Sequence, residues 1–528
     1  MLVLALISSL LLQAPPAPAS PSAPTRAKDA SVEKDDKGDK ASDKDKGEKD
    51  KGEKDKKDAE EKPVTTKHEL KLPGRLLRYS VTTGLMPLKN EQGEKEADIF
   101  FMAYTAERSG GPEKRPLMFS FNGGPGSSSV WLHLGALGPR RVKMLDDGGM
   151  PAPPYQLVDN EHTWLDQTDL VFIDPVGTGY SRATKPELGK KFWGLQGDIE
   201  SVGEFIRLYL TRYERWGSPL FLVGESYGTT RAAGLSGHLV DQGIAFNGIL
   251  LVSSILNFQT ARFTKGNDSP YPLFLPTYSA TAWYHKRLPA DLQAKPVKAV
   301  LEEVRAFAGG EYTLALAKGD RLSAAERAAT LDKLARYTGL GKTWLDETDL
   351  RVEIQQFCKE LLRSEKRTVG RLDSRFKGID HDAAGERPDF DPSMAAIRPP
   401  YTATLNDYVR RELGYKSDLH YYILGGGIGA PWDFGRAGAG FADTSEALRS
   451  AFSKNPSMRV FVASGYYDLA TPFFATEYTL SHMGLEASQR ARVFTHEYEA
   501  GHMMYIHVGE LGRLKKDMAA FVEAALKP

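Results

Sequence analysis

The chain has 528 residues, and 69 lysine and arginine residues balance 69 aspartate and glutamate residues, so its formal net charge is zero. This balance argues against a nucleic-acid-binding protein, which should carry a basic surface. The only cysteine, Cys358, excludes an intramolecular disulfide and any metal site built from several cysteines. No apolar run reaches the roughly 20 residues needed to cross a bilayer. We therefore expect no stable membrane insertion, no metal and no cofactor.

Residues 1–19 have the pattern of a secretory signal peptide. The apolar run at residues 2–12 is followed by Ala17-Pro18-Ala19, which has the small-residue spacing of a cleavage site. Nothing basic stands before Arg26, so the charged segment that usually opens a signal peptide is missing. We expect an exported protein, either periplasmic or extracellular.

Residues 20–68 are predicted to be a disordered, charged tether. Between positions 28 and 62 there are 12 lysines and 14 acidic residues. Such a segment cannot bury enough apolar surface to offset the chain entropy lost on folding. A solvated spacer is the simplest interpretation, and a partner-binding tail is the alternative.

After the tether, short apolar runs between turn signals predict strands that alternate with helices. The runs at 76–83 and 99–107 predict an antiparallel pair, and residues 198–213 and 229–240 have helical spacing. Alternating strands and helices indicate a mostly parallel central sheet with helices on both faces. The further predicted strands are 117–121, 170–174, 220–223, 249–253, 460–463 and 493–496.

The pattern changes between residues 259 and 456, where helical segments dominate. We expect this region to be an inserted, helix-rich cap, and the sheet domain to comprise residues 69–258 and 457–528. The predicted cap helices are 292–307, 324–337 and 350–362.

The sequence Gly-Glu-Ser-Tyr-Gly at residues 224–228 matches a nucleophile elbow. In this turn a serine sits between a strand and a helix, and small neighbours let the two elements approach closely. The strand predicted at 220–223 and the helix predicted at 229–240 supply this context. Ser226 is therefore the candidate nucleophile, and an ordinary strand–helix turn is the alternative.

A serine nucleophile needs a base, and the base needs a carboxylate to orient it. Asp468 follows the strand predicted at 460–463, and His502 follows the strand predicted at 493–496. Both should lie at the same edge of the sheet as Ser226. His496 and His507 are the competing histidines, but one falls within a strand and the other lies beyond the loop.

A glycine-rich segment, Asn-Gly-Gly-Pro-Gly at residues 122–126, directly follows the strand predicted at 117–121. Glycines there allow backbone N–H groups to point at a developing oxyanion. The second donor would be the N–H of Tyr227, the residue after the candidate nucleophile.

Together with Gly-Tyr-Tyr-Asp at 465–468, Gly-His-Met at 501–503 and Asp-Pro-Val-Gly-Thr-Gly-Tyr-Ser at 174–181, these motifs resemble the serine carboxypeptidase family, peptidase family S10. Because the chain has a single cysteine, it resembles a bacterial-type member of this family without disulfides. The resemblance implies an α/β-hydrolase fold with a helical insertion, and an enzyme that removes C-terminal residues from peptides or proteins.

The resemblance also implies a role for each matched residue. Ser226, Asp468 and His502 would form the catalytic triad. The amides of Gly124 and Tyr227 would form the oxyanion hole. The remaining two matched residues, Asn122 and Glu225, would bind the terminal carboxylate of the peptide.

The sequence departs from the family pattern at two positions. Ala136 stands where a second glutamate usually precedes Leu-Gly-Pro, and Ser127 replaces a cysteine. The first departure bears on the strength of carboxylate recognition and on its pH dependence. It leaves open an esterase or acyltransferase on the same fold, and a non-catalytic binding protein is a third hypothesis.

Overall fold

The computed structural model describes residues 62–107, 114–435 and 440–527. The predicted signal peptide and most of the predicted tether lie outside these residues. A strand begins at Val64, so regular structure starts before residue 68, where the tether was predicted to end. This strand is mostly polar and is held by pairing with its neighbour along nine residues, so its hydrophobic pattern gave little signal.

Fourteen strands occur within the described residues. In chain order they are Val64–Leu72 (β1), Arg75–Lys89 (β2), Lys95–Ala106 (β3), Leu117–Phe121 (β4), Arg140–Val142 (β5), Leu157–Asp159 (β6), Asp169–Asp174 (β7), Arg182–Ala183 (β8), Leu220–Ser226 (β9), Gly248–Ser254 (β10), Thr368–Val369 (β11), Lys377–Gly378 (β12), Arg459–Gly465 (β13) and Val493–Tyr498 (β14).

Ten of these strands form the main sheet, in the order β1-β2-β3-β7-β4-β9-β10-β13-β14 with β8 paired to β3. The first strands pair antiparallel as far as β7, and the strands from β7 to β14 pair parallel. The predicted mostly parallel sheet is therefore confirmed. Because β4, β9, β13 and β14 run in one direction, their carboxyl ends meet at one edge.

Helices connect and cover these strands. Those within the described residues are Val130–Leu132, Gly189–Phe192, Leu195–Arg212, Tyr227–Asp241, Pro270–Tyr284, Ala290–Gln293, Val297–Phe307, Thr313–Lys318, Ala324–Thr338, Lys342–Glu347, Ile354–Glu360, Pro392–Arg411, Ser445–Lys454, Phe473–Ser481, Ala487–Arg490 and Val508–Ala525. None of them is long and apolar enough to span a membrane.

The sheet separates two hydrophobic cores. Phe100 and Phe101 are neighbours on β3, yet Phe100 packs in one cluster and Phe101 in the other. Successive side chains of a strand point to opposite faces, so each buried strand contributes to both cores. Helix Leu195–Arg212 covers one face through Phe205, and helix Val508–Ala525 covers the other through Leu514.

The helical segment between β10 and β13 has a hydrophobic cluster of its own, centred on residues such as Tyr278 and Phe357. Two of its helices are shorter than predicted. The helix predicted at 292–307 is interrupted because Pro296 cannot donate a backbone hydrogen bond. The helix predicted at 350–362 begins only at Ile354, since Leu350 has a positive φ of 63°.

Candidate active site

Ser226 occupies a sharp turn between β9 and helix Tyr227–Asp241. Its backbone has φ 60° and ψ −132°, a conformation that is strained for a residue with a side chain and typical of a nucleophile elbow. A Cβ atom at Gly224 would lie 2.1 Å from the carbonyl oxygen of Gly228. Only glycine permits this approach of strand and helix, so the local sequence dictates the turn that presents the serine.

His502 and Asp468 form a buried pair at the ends of β14 and β13. The Nδ1 atom of His502 lies 2.7 Å from Oδ2 of Asp468. Burial disfavours the charged imidazolium, but the charge of Asp468 and its hydrogen bond outweigh this effect and raise the pKa of His502 above its ordinary value. A histidine held in this way has one ring nitrogen fixed and the other available for proton transfer.

The Asp468 carboxylate is itself oriented by a short turn that follows it. Its Oδ1 accepts backbone hydrogen bonds from Ala470 at 2.8 Å and Thr471 at 3.1 Å. The Thr471 hydroxyl donates to Oδ2 at 2.7 Å. Thr471 was not anticipated from the sequence, although a hydroxyl residue three positions after an aspartate is a common turn signal.

Two further contacts hold the loop that carries His502. Its backbone N–H donates to the carbonyl of Leu372 at 2.7 Å, and its own carbonyl accepts from the hydroxyl of Ser253 at 2.6 Å. Ser253 has a positive φ of 51°, which is uncommon for a residue other than glycine. This end of β10 thus buttresses the histidine loop.

Ser226 and His502 line the same cavity, which has a volume of about 140 Å³. The competing histidines do not line this cavity. His496, in β14, stacks on Phe461 of β13, and His507 lines a separate cavity. The walls of this candidate catalytic cavity are formed by Asn122, Gly123, Gly124, Ser127, Trp131, Glu225, Ser226, Arg371, Leu372, Met394, Ile397, Leu424, Ala470, His502 and Met503.

The glycine-rich segment after β4 packs directly against the nucleophile turn. A Cβ atom at Gly123 would lie 2.4 Å from the backbone nitrogen of Tyr227, closer than any real Cβ contact. Tyr227 is the first residue of its helix, so its N–H has no acceptor within that helix. Gly124 follows with a φ of 100°. The structure thus places the segment that carries Gly124 beside the Tyr227 amide.

Glu225 is a buried carboxyl in this cavity, with 3% of its surface exposed. Burial raises its pKa to about 7, and a hydrogen bond from the Tyr505 hydroxyl opposes part of this increase. Asn122 lies near enough to have the same opposing effect. Its Oδ1 accepts from the Leu132 amide at 3.1 Å, and its buried Nδ2 makes no hydrogen bond of normal geometry.

Tyr505 is the main feature of this end of the cavity that the sequence did not reveal. Ala136 is fully buried and offers no carboxyl group. The adjacent Gly135 leaves room for the Tyr505 ring, which a Cβ atom there would approach to 2.4 Å. Glu225 therefore has a tyrosine hydroxyl as its hydrogen-bond partner.

A buried ion pair contacts the backbone of Asn122. Arg231, on the helix that follows Ser226, donates to the Asp198 carboxylate at 2.8 Å and to the backbone carbonyl of Asn122 at 2.7 Å. Both charged side chains are 1% exposed. Arg231 thereby links the carboxylate end of the cavity to the nucleophile helix, a role that no local sequence pattern indicated.

Asp174 and Ser127 hold the chain that follows the glycine-rich segment at residues 122–126. Asp174 accepts hydrogen bonds from the backbone N–H and the hydroxyl of Ser129, both at 2.8 Å, and from Tyr421. Ser127, the residue in place of the family cysteine, accepts from the Trp131 indole at 2.8 Å. These contacts fix the chain where it turns from the oxyanion segment into the next helix.

The strand order and the nucleophile turn define a protein of the α/β-hydrolase class. Residues 73–290 match the sequence pattern of the serine carboxypeptidase family. This match includes Asn122, Glu225 and Ser226, and it supports the family predicted from the motifs.

Among curated relatives, the pheromone-processing carboxypeptidase KEX1 of Saccharomyces cerevisiae is 35% identical over 158 residues, which are 27% of this chain and 20% of that protein. Serine carboxypeptidase-like 8 of Arabidopsis thaliana is 26% identical over 227 residues, 42% of this chain and 48% of that protein. The matched segments thus span from a fifth to about half of these relatives.

A solved structure of KEX1(delta)p, a prohormone-processing carboxypeptidase from Saccharomyces cerevisiae, is similar over most of the chain. The TM-score is 0.51, and the match covers 84% of this chain and 91% of that one at 18% identity. At this identity the likeness shows a shared fold.

Proposed function

We propose that this protein is a serine-type carboxypeptidase that removes C-terminal residues from peptides through an acyl-enzyme. The observation that carries the proposal is the placement of a buried, readily protonated Glu225 in the same cavity as Ser226. A nucleophile elbow alone would fit any hydrolase of this fold. A neutral carboxyl group immediately before the nucleophile is suited to a substrate that ends in a carboxylate.

In the proposed reaction, Ser226 attacks the carbonyl carbon of the last peptide bond while His502 takes the hydroxyl proton. Asp468 keeps the imidazole oriented and stabilises its charged form. The backbone N–H groups of Gly124 and Tyr227 donate hydrogen bonds to the oxyanion, which is the carbonyl oxygen that becomes negatively charged during attack. The C–N bond then breaks, and His502 returns its proton to the leaving amine.

The second half of the reaction reverses these roles. Water enters the cavity, loses a proton to His502 and attacks the acyl-enzyme carbonyl. The bond between the carbonyl carbon and the Ser226 oxygen then breaks, and the serine recovers its proton from His502. The shortened peptide leaves with a new C-terminal carboxylate.

Recognition of the terminal carboxylate is assigned to Glu225 and Asn122. An ionised glutamate would repel a substrate carboxylate, whereas a protonated one donates a strong hydrogen bond to it. The buried Nδ2 of Asn122 supplies a second donor. With a pKa of about 7 for Glu225, binding through this pair weakens as the pH rises above neutrality.

Two coarser features complete the proposal. Residues 259–456 would act as a cap, because Arg371, Met394 and Leu424 from this segment line the catalytic cavity. The apolar start at residues 2–12 favours export.

The test compares an N-blocked dipeptide with its C-terminal amide, at several pH values. We expect the free acid to be cleaved faster, and Ser226→Ala to lower the rate by at least about a thousandfold. Equal rates on acid and amide would instead favour an esterase or acyltransferase, for which the absence of a second glutamate at Ala136 is the motivating observation. No labelling by a fluorophosphonate would point to a non-catalytic protein.

A further inference from the structure

Arg371 is a cationic side chain in the wall of the catalytic cavity, which it lines together with Ser226 and His502. Within the part of the chain that the structure describes, its guanidinium group makes no ion pair and no hydrogen bond. Its charge nevertheless acts on His502, where it offsets part of the increase in the pKa of that histidine. Arg371 is therefore a free donor within reach of a bound substrate.

Asp391 is an acidic residue close to Arg371, and its carboxylate already accepts hydrogen bonds from backbone N–H groups. Asp391 lines a neighbouring cavity together with Arg371. Its carboxylate accepts from the backbone N–H groups of Arg371 at 3.1 Å, Leu372 at 3.3 Å and Ser393 at 2.9 Å. It caps the helix that begins at Pro392 and forms no ion pair with the arginine.

A second arginine increases the positive charge at this place. Arg262 lies over the rings of Phe258 and Phe434, at 5.2 and 5.3 Å from their centroids. Arg262 is exposed to solvent; partial desolvation lowers its pKa, and the charge of Arg371 lowers it further. The two cations repel each other, and neither side chain forms an ion pair within the described residues.

Arginines buried elsewhere in this protein are satisfied by carboxylates. Arg115 and Arg215 share Asp169, and Arg231 pairs with Asp198. The fold thus supplies counterions for arginines that have only a structural role. Arg371 is instead half-buried at the cavity wall, where its guanidinium group is open to water or to a ligand.

We propose that Arg371, reinforced by Arg262, binds an acidic side chain on one of the two substrate residues that flank the cleaved bond. The preferred substrates are then peptides with aspartate or glutamate at this position. A guanidinium group and a carboxylate form paired, charge-assisted hydrogen bonds of matching geometry. This inference rests on the proposed carboxypeptidase function and adds a substrate class to it.

The experiment uses blocked dipeptides that differ only in glutamate against glutamine, placed at the C-terminal residue in one series and at the residue before it in the other. For the full-length wild-type protein we expect kcat/KM to favour glutamate by about tenfold in one series. The Arg371→Gln variant should bring this ratio close to one, and Arg371→Lys should retain part of it.

Arg367→Gln is the matched control, since it removes one positive charge from the same segment. The guanidinium group of Arg367 bonds only to nearby backbone carbonyls, and we expect the wild-type ratio. Should Arg371→Gln fail to fold, the wild-type ratio measured at rising salt gives the same information, because screening weakens the contact between the two charges.

Three results would overturn the inference. The wild-type enzyme could cleave neutral dipeptides without preferring glutamate in either series, or the preference could persist in Arg371→Gln. The variant could also lose its discrimination between a free C-terminal acid and its amide, which would assign Arg371 to the terminal carboxylate. If wild-type protein cleaves no blocked dipeptide, acidic or neutral, the proposed function itself fails and takes this inference with it.

Discussion

The hydrogen bond from Tyr505 to Glu225 predicts how the proposed carboxypeptidase activity responds to pH. Glu225 must be protonated to bind a carboxylate, so kcat/KM should fall as the pH rises through its pKa of about 7. The tyrosine hydroxyl stabilises the ionised carboxyl and so lowers this pKa. Tyr505→Phe removes that donor, and the pKa of Glu225 should therefore rise.

The size of the shift follows from the energy of one hydrogen bond to a charged group, which is about 1.5–3 kcal/mol. Since each pKa unit corresponds to about 1.4 kcal/mol, the pKa of Glu225 should increase by about one to two units. Activity rises with pH as His502 loses its proton and falls as Glu225 loses its own. Tyr505→Phe should therefore broaden the pH profile on its alkaline side only.

The assay is kcat/KM on a blocked dipeptide between pH 4 and pH 10, on the order of ten values across that range. Tyr401→Phe is the matched control, because Tyr401 is a buried neighbour of Glu225 that forms no hydrogen bond with it. Its profile should match that of the wild type. An alkaline limb that stays in place in Tyr505→Phe, or moves to lower pH, would refute the reasoning.

Three further predictions concern packing and charge. Gly123→Ala should abolish measurable cleavage and lower the free energy of unfolding by about 1–3 kcal/mol. The control Gly310→Ala, with nothing within 4 Å of the added Cβ, should change neither property. Equal effects of the two substitutions would contradict the packing argument. Arg231→Met should destabilise the fold by about 3–5 kcal/mol in urea denaturation, because Asp198 is left buried and unpaired, and adding Asp198→Leu should restore most of this loss. Glu225→Gln should raise the free energy of unfolding at pH 8 by about 3 kcal/mol, because the carboxyl pKa rises from 4.5 to about 7 on folding. This gain should disappear as the pH falls from about 7 to 4.5. If Glu225→Gln were less stable than the wild type at pH 8, burial of the ionised carboxylate would not destabilise the fold.

Most of the predicted strands lie within a few residues of their observed bounds, but several short strands, such as Arg140–Val142 and Leu157–Asp159, were not predicted. An apolar run such as residues 117–121 is recognisable because a strand that is buried on both faces is apolar almost throughout. The errors occurred where the local pattern was silent. The polar strand β1 is held by its pairing with β2, and Leu350 delays a helix through a positive φ that its residue type does not indicate.

The order of the chemical groups along the chain was also readable. Ser226, Asp468 and His502 each follow a strand, and parallel strands bring their carboxyl ends to one edge, so their convergence is a consequence of topology. The structure places Ser226 and His502 in one cavity and pairs His502 with Asp468. Their assignment as a catalytic triad stays a prediction that the Ser226→Ala measurement tests.

The sequence by itself indicated the kind of fold, the resemblance to the serine carboxypeptidase family and the candidate nucleophile, because strand periodicity and glycine-dependent turns are properties of a few adjacent residues. Only the tertiary structure decided the environment of these groups. The Tyr505 hydroxyl reaches Glu225 across 280 positions, and Arg371 stands in the cavity wall without an ion-pair partner among the residues that the structure describes. Hydrogen-bond partners, burial and unpaired charge depend on what folding brings together, and no local pattern records them.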